Sequence, residues 1–489
     1  MGVVRGRTAG RAAIRLLLAG LLAASAYVQA ARAQAPPPPP SNSGSSETRS
    51  ALGAYIVGGV IVGIVGWALA DKFLTKRDPI IPPAEPLPPS GPSFSQLSNN
   101  PPPPRAVRPG RAPTQSLRSG FRPPPVGETR FVPNEVIVDI PASSSAQTLD
   151  AVAARFAMTR LETTRIALTG RTLHRWRLNT GGSIRDVIGE MSGERRLAGA
   201  QPNYLYALAQ QAVSNGDQYA PDKLNVPAAH RFATGNRVLV AVIDSAVDAS
   251  HPDLAGAIAA NFETSADDAT PHMHGTGMAG AIAARRTVLS MAPRAALLTV
   301  RAFSPSSNSA QGTTYNIIKG LDWAAGQGAR VVNMSFAGPP DPGLSDIMLR
   351  AYRRGIVLIA AAGNAGPNSP PLYPAADATV IAVTATDIND SLFSGANRGG
   401  HVAVAAPGVN ILAPAPGGGY QFTTGTSIAA AEVSGVVALL IERNSALTPS
   451  DIRELLMRTA KDLGPAGRDP EFGAGLVNAL RAVSAAAPR

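Results

Sequence analysis

Six apolar runs of strand length punctuate the C-terminal half of the chain, at residues 237–243, 295–300, 331–334, 356–360, 379–383 and 401–405. They are apolar on both faces rather than alternating, the pattern of parallel strands covered by helices on either side. Helix-period stretches at 315–327 and 344–354 lie between them, and 428–444 and 449–459 follow the last. Strand and helix in alternation predict an α/β fold with a doubly wound parallel sheet. Ligands bind such sheets at strand ends and helix starts.

A smaller pattern precedes this one. Residues 131–208 read strand, helix, two strands, helix, strand: 136–140, 146–156, a hairpin at 167–178 around Gly170, 183–196 and 200–206. That order predicts a small α+β, ferredoxin-like domain ahead of a larger one spanning 220–486.

The N-terminal third differs in kind. Arg5, Arg7, Arg11 and Arg15 precede an apolar run at 16–22, and Ala31-Arg32-Ala33 follows. This is the order of a secretory signal peptide over 1–33, with an uncleaved anchor as the alternative. Residues 51–70 then carry no charge and contain Gly59, Gly63 and Gly66. They are long enough for a transmembrane helix with a close-pairing G-x-x-x-G face, or else form a Gly-rich hairpin or an unstructured stretch. Lys72, Lys76 and Arg77 after the span favour a cytoplasmic C-terminal side, in conflict with export by the leader. Residues 79–125 are Pro-rich and predict an extended linker. Residues 1–130 hold +10 of the chain's net charge of +11, so the basic balance belongs to targeting and linker segments and does not point to nucleic acid. The absence of Cys excludes disulfides and thiolate metal sites.

Candidate chemistry sits at the ends of the predicted elements. Asp244 ends the first strand of the larger domain, His274 opens a small-residue helix as His274-Gly275-Thr276-Gly277, Asn364 lies in Ala361-Ala362-Gly363-Asn364-Ala365-Gly366, and Ser427 lies in Gly425-Thr426-Ser427 before an apolar helix. Singly, each reads as a cap or a turn. His272 and His274 form an H-x-H pair, but no further ligand set stands nearby, so no metal is assigned.

Together and in the order Asp, His, Asn, Ser, these motifs resemble a subtilisin-like serine protease, a subtilase, from about residue 225 to the C-terminus. The resemblance implies a serine endopeptidase acting on proteins or peptides, with Asp244, His274 and Ser427 as catalytic triad and Asn364 as oxyanion donor. It implies a substrate strand and pocket formed by Ser335, Phe336, Gly338, Ala361, Ala362 and Gly363. It makes 131–208 a propeptide that assists folding and then inhibits, with cleavage between 207 and 219, where the stretch 210–219 is polar. A propeptide-bearing subtilase is expected in the cell envelope, outside the cytoplasm, either secreted or held by 51–70 as a membrane anchor.

The chain departs from the family pattern in several places. Ala246 stands where a Gly is usual, Gly277 where a second His is usual, and Ala431 where a Pro is usual. A left-handed backbone at Ala246 would cost on the order of 1 kcal/mol. The segment 285–290 is short where many relatives carry a calcium loop. Asp253 matches one ligand but the others are missing, so no cofactor is assigned. Two other classes remain open: a catalytically weak peptide-binding protein, and a membrane scaffold built on the Gly-rich stretch.

Overall fold

The computed structural model describes residues 117–208, 211–212, 218–266, 269–305 and 310–488. The leader, the apolar stretch 51–70 and most of the Pro-rich segment lie outside the described residues. Among the described residues no helix is long and apolar enough to cross a membrane.

The first folded portion comprises β1 (Phe131–Ile140), α1 (Ala146–Arg155), β2 (Met158–Ile166), β3 (Arg171–Leu178), α2 (Ile184–Met191) and β4 (Gly199–Ala207). Its strands pair antiparallel in the order β2-β3-β1-β4. Val136, Val138, Val152, Trp176, Ile188 and Met191 form its core. Both helices start on a serine cap: Ser145 accepts from the Thr148 N–H and Ser183 from the Asp186 N–H.

Two extents differ from the sequence expectation. The hairpin's first arm runs through Met158–Ile166, before the expected start at 167, and turns at Gly170 with φ +68°. Its residues are mostly polar and half-exposed, so they present no apolar run. The last part of the expected linker is also tied down. Phe121 is buried in the core, the Arg122 N–H donates to the Ala200 carbonyl, and the Arg118 guanidinium donates to the carbonyls of Glu194 and Leu197.

The second portion begins with β5 (Gln211–Ala212) and the short helices α3 (Ala220–Lys223) and α4 (Val226–Ala229). It continues through β6 (Leu239–Asp244), β7 (Ile258–Glu263), α5 (Met273–Ala283), β8 (Ala296–Arg301), β9 (Phe303–Pro305), β10 (Ala310–Thr313) and α6 (Thr314–Gly326). Next come β11 (Val331–Met334), α7 (Pro342–Arg353), β12 (Val357–Ala361), β13 (Val380–Thr386) and β14 (Val402–Pro407). The chain closes with β15 (Ile411–Ala415), β16 (Gly419–Thr424), α8 (Thr426–Arg443), α9 (Pro449–Thr459) and α10 (Ala479–Ala485).

Seven of these strands form a wholly parallel sheet in the order β14-β13-β12-β11-β6-β8-β7. From β6 the chain goes to the edge at β7 and returns to β8 beside β6, then from β11 builds outward on the other side. The switch between β6 and β11 is where a doubly wound sheet opens a crevice at its strand ends. Helix α8 is buried continuously from Thr426 to Ile441, which its all-round apolar sequence requires. Helix α5 approaches the end of β6 so closely that a Cβ at Gly275 would lie 2.3 Å from the Ser245 carbonyl oxygen.

Strand β4 leaves its own sheet to enter this crevice. Leu205, Tyr206 and Ala207 pair antiparallel with Thr313, Gly312 and Gln311 of β10, and Ala207 also bridges to Ala337. Beyond it, Gln211 and Ala212 pair with Thr424 and Thr423 of β16, just ahead of α8.

Candidate active site

Asp244 is the last residue of β6 and His274 the second of α5; both are buried. The His274 Nδ1 lies 2.8 Å from Asp244 Oδ1 and 3.0 Å from Oδ2. A carboxylate can only accept, so Nδ1 carries the proton and the lone pair falls on Nε2. That Nε2 is buried and has no hydrogen-bond partner. Asp244 Oδ1 also accepts from the Ser245 N–H at 2.7 Å and the Ser245 hydroxyl at 3.1 Å, which fixes the carboxylate plane. Ala246, next in sequence, does not have the left-handed backbone considered for it, so no strain is stored there.

Ser427 opens the first turn of α8 and is 5 % exposed. Its hydroxyl donates to the Ser335 carbonyl at 3.1 Å, and the Ser335 hydroxyl donates to the Ser427 carbonyl at 2.8 Å. The Asn333 amide donates to the Ser335 Oγ, so the end of β11 and the start of α8 are bonded together.

Asn364 follows β12. Its Oδ1 accepts from the Thr426 N–H at 2.9 Å and from the Thr426 hydroxyl at 2.8 Å. The Thr426 Oγ1 in turn accepts from the Gly363 N–H at 3.1 Å. Anchoring the amide oxygen turns the NH2 end into the donor end, beside the positive pole of α8. Sequence reasoning did not single out Thr426, although it stands inside the Gly-Thr-Ser motif.

Of the expected substrate residues, Gly338 lines a cavity beside the crevice, and Ser335, Phe336, Ala361, Ala362 and Gly363 are buried. Phe336 is buried, with its ring 5.0 Å from Phe303 and 5.7 Å, edge-on, from Tyr206. Gly338 lies against the Tyr206 ring. Ala361, Ala362 and Gly363 are buried where β12 ends. Beside them, Tyr206, Ala207, Ala337, Gly338, Asn364 and Leu372 bound a cavity of about 460 Å³. The Tyr206 hydroxyl donates to Asp341 at 3.2 Å. Asp341 also accepts from the Thr314 hydroxyl, the Gln201 amide and the N–H groups of Gly343 and Leu344, capping α7. Neither Tyr206 nor Asp341 carries a motif that would mark it in the sequence.

Among the described residues no group of three His, Cys, Asp or Glu could hold a metal ion. Asp253 does not fit the calcium role its position suggests. Its two oxygens accept from the Thr287 N–H at 2.7 Å and the Val288 N–H at 3.0 Å, and the neighbouring Arg285 guanidinium takes the Gly256 and Ala295 carbonyls. Backbone amides and a guanidinium stand where a calcium ion would need oxygen donors.

Comparison with known proteins places this geometry in a lineage. The Subtilase family model matches residues 235–475. The chain is 37% identical over 274 residues to thermitase from Thermoactinomyces vulgaris, covering 54% of this chain and 95% of thermitase. It is 38% identical over 265 residues to subtilisin Savinase from Lederbergia lenta, covering 53% and 95% of the two chains. Among solved structures, fervidolysin from Fervidobacterium pennivorans, a keratinolytic enzyme related to subtilisin, superposes with a TM-score of 0.63 at 25% identity. That likeness covers 72% of this chain and 61% of fervidolysin. With nearly the whole of two such relatives matched and the parallel sheet in common, the chain belongs to the subtilase family: it is a subtilisin-like serine endopeptidase, acting on protein or peptide substrates.

Proposed function

We propose that Asp244, His274 and Ser427 are the catalytic triad, that Asn364 is an oxyanion donor, and that the enzyme is made as a zymogen inhibited by residues 131–208. The observation that carries the triad is the buried His274 Nδ1 contact of 2.8 Å to Asp244, with Nε2 left unclaimed. In this reading the Ser427 hydroxyl leaves the Ser335 carbonyl, gives its proton to Nε2 and attacks the scissile carbonyl carbon. The tetrahedral oxyanion accepts from the Asn364 amide and from N–H groups at the start of α8. The imidazolium, held against Asp244, protonates the leaving amine, and water then repeats the sequence on the acyl-enzyme.

Strand β4 in the crevice supports the zymogen reading. So do the contacts behind it: Asp322 of α6 accepts from the Ala167 and Leu168 N–H groups, Lys319 pairs with Glu162, and the Tyr315 hydroxyl donates to Thr164. The leader pattern supports a site of action outside the cytoplasm, in the cell envelope, with 51–70 as the anchoring candidate. No calcium is assigned to the Asp253 site.

A peptide-holding protein of low activity is the second reading, favoured by the Ser427 hydroxyl pointing to Ser335 rather than to His274. A fluorophosphonate probe separates the two. The enzyme reading expects covalent labelling of Ser427, lost in Ser427→Ala. Labelling that persists in the variant would reassign the nucleophile, and no labelling of wild-type mature protein would favour the holding protein.

A further inference from the structure

His272 sits two residues before the base, and its ring is part of the base's own support. It is the N-cap of α5: its Nδ1 accepts the backbone N–H of His274 at 3.2 Å. The same Nδ1 lies 3.2 Å from the Ser245 Oγ. Ser245 Oγ accepts from the Gly275 N–H at 3.0 Å and donates to Asp244 Oδ1. Hydrogen bonds therefore run from Ser245 to Asp244 and on to His274, while the contact between His272 Nδ1 and Ser245 Oγ holds no proton as long as Nδ1 accepts the His274 N–H. Nothing in the triad's chemistry requires a second imidazole here.

Most N-caps are Ser, Thr, Asp or Asn, whose side-chain oxygens accept at ordinary pH. An imidazole nitrogen accepts only while it is unprotonated. We propose that His272 is a positioning residue that makes the alignment of His274 depend on pH. With His272 neutral, Nδ1 caps α5 at the residue that carries the base. Once Nδ1 binds a proton it becomes a donor and cannot accept the His274 N–H. It then donates to Ser245 Oγ, whose own proton is committed to Asp244. Negative charge is drawn from the carboxylate that holds the imidazolium, and the first turn of α5 loses its cap. Both effects weaken His274 as a base.

The ionisable groups facing His272 are His274, which opposes its protonation, and Asp244, which favours it. Burial is the larger influence, and the net pKa lies below the ordinary histidine value. The cap is therefore intact above that ordinary value and is lost as pH falls through the lowered one. His272 adds a second proton to the acid limb.

This inference rests on the triad reading, and its test keeps the two apart. The pH dependence of kcat/KM for a peptide substrate would be measured on mature wild type, His272→Asn and His272→Ala. Asn accepts at the cap and does not titrate. Wild type should show a two-proton acid limb, and His272→Asn a one-proton limb with near-wild-type activity at neutral pH. In the steep region the two should diverge by about tenfold per pH unit. His272→Ala should lose both activity and melting temperature at neutral pH. An acid limb of His272→Asn superimposed on wild type would overturn the proposal. Nitrogen-15 histidine spectra of the Ser427→Ala protein give a readout that needs no turnover: Nδ1 of His272 should be unprotonated at neutral pH and titrate in acid. A protonated Nδ1 at neutral pH overturns the proposal even if the enzyme is active. An inert wild type with a titrating His272 would count against the triad and not against the cap.

Discussion

Ala207 and Ala337 exchange both of their backbone hydrogen bonds: the Ala207 N–H donates to the Ala337 carbonyl at 3.1 Å, and the Ala337 N–H donates back at 3.2 Å. Two residues before Ala337 stands Ser335, the holder of the Ser427 hydroxyl. Gln211 pairs with Thr424, three residues before Ser427. Between these two pairings, the proposed self-cleavage by Ser427 is expected at the Ala209–Gln210 bond. The mature fragment should begin at Gln210, and Ser427→Ala should accumulate intact precursor. N-terminal sequencing decides it. A start elsewhere between 207 and 219 would refute that position while keeping self-cleavage.

Tyr206 should be the residue that holds the released propeptide on the enzyme. Its ring is buried against Phe336 and Gly338 and its hydroxyl reaches Asp341. Tyr206→Ala in the cleaved N-terminal fragment should weaken inhibition of mature enzyme roughly 100-fold or more, as loss of a buried aromatic anchor does. Tyr206→Phe removes only a hydrogen bond to a carboxylate and should cost on the order of 10-fold. Inhibition constants for the three fragments test this; equal potency would mean that the strand's main chain carries the binding.

Thr426 should act through Asn364. Its hydroxyl and N–H both donate to the amide oxygen. Asn364→Ala should lower kcat on the order of 100- to 1,000-fold with KM little changed, the magnitude known for a subtilisin oxyanion donor. Thr426→Val keeps the shape and the backbone N–H but removes the hydroxyl bond, so the amide is held less firmly and kcat should fall less. The double variant should be no slower than Asn364→Ala alone, because the threonine has no role once the amide is gone. Additive losses in steady-state kinetics would give Thr426 an independent function.

Much of the scaffold could be read from the sequence, for physical reasons visible in particular elements. β11 and α9 have the expected bounds, because Val331–Met334 is buried on both faces and Thr448 with Asp451 forms a capping box. β7 went unread because it lies at the sheet edge and alternates between half-buried and exposed positions. The β15–β16 hairpin is Pro- and Gly-rich and has no apolar run. The candidate site is legible where chemistry and backbone packing coincide in one motif, as at His274-Gly275, where only a glycine fits under the Ser245 carbonyl. Thr426 with Asn364, or Tyr206 with Asp341, could not be read that way. Those partners are distant in sequence and meet only once the sheet is formed.

Calcium should matter little at Asp253. Its carboxylate already accepts from two backbone amides, of which that of Val288 is buried. Melting temperature in excess chelator and in millimolar calcium should agree closely, since an ion that does not bind the folded state cannot stabilise it. Asp253→Ala should lower it by orphaning the buried Val288 N–H, at about 1–3 kcal/mol, with a smaller loss at the more exposed Thr287 N–H. A large drop on chelation would reveal a calcium site elsewhere in the chain.

Glu432 should make the protein less stable as pH rises. It lies in α8, five residues after Ser427, fully buried, and neither carboxyl oxygen has a hydrogen-bond partner. Burial pushes its pKa well above the usual carboxylate range, because the charged form is not solvated there. In the unfolded chain the same group loses its proton near pH 4.3, the ordinary glutamate value. The unfolded state therefore gives up a proton that the folded state retains. Stability is greatest below that ordinary value and falls as pH rises toward the folded-state value, by about 1.4 kcal/mol per pH unit in between. Glu432→Gln keeps the shape and cannot ionise. Its melting temperature should exceed that of wild type by a margin that widens as pH rises above the ordinary glutamate value, other titrations cancelling in the difference. Thermal melts of the Ser427→Ala protein, with and without Glu432→Gln, avoid self-digestion during the measurement. A margin that stays constant with pH would show that Glu432 titrates as an ordinary carboxylate, and so has a partner or solvent at its head group.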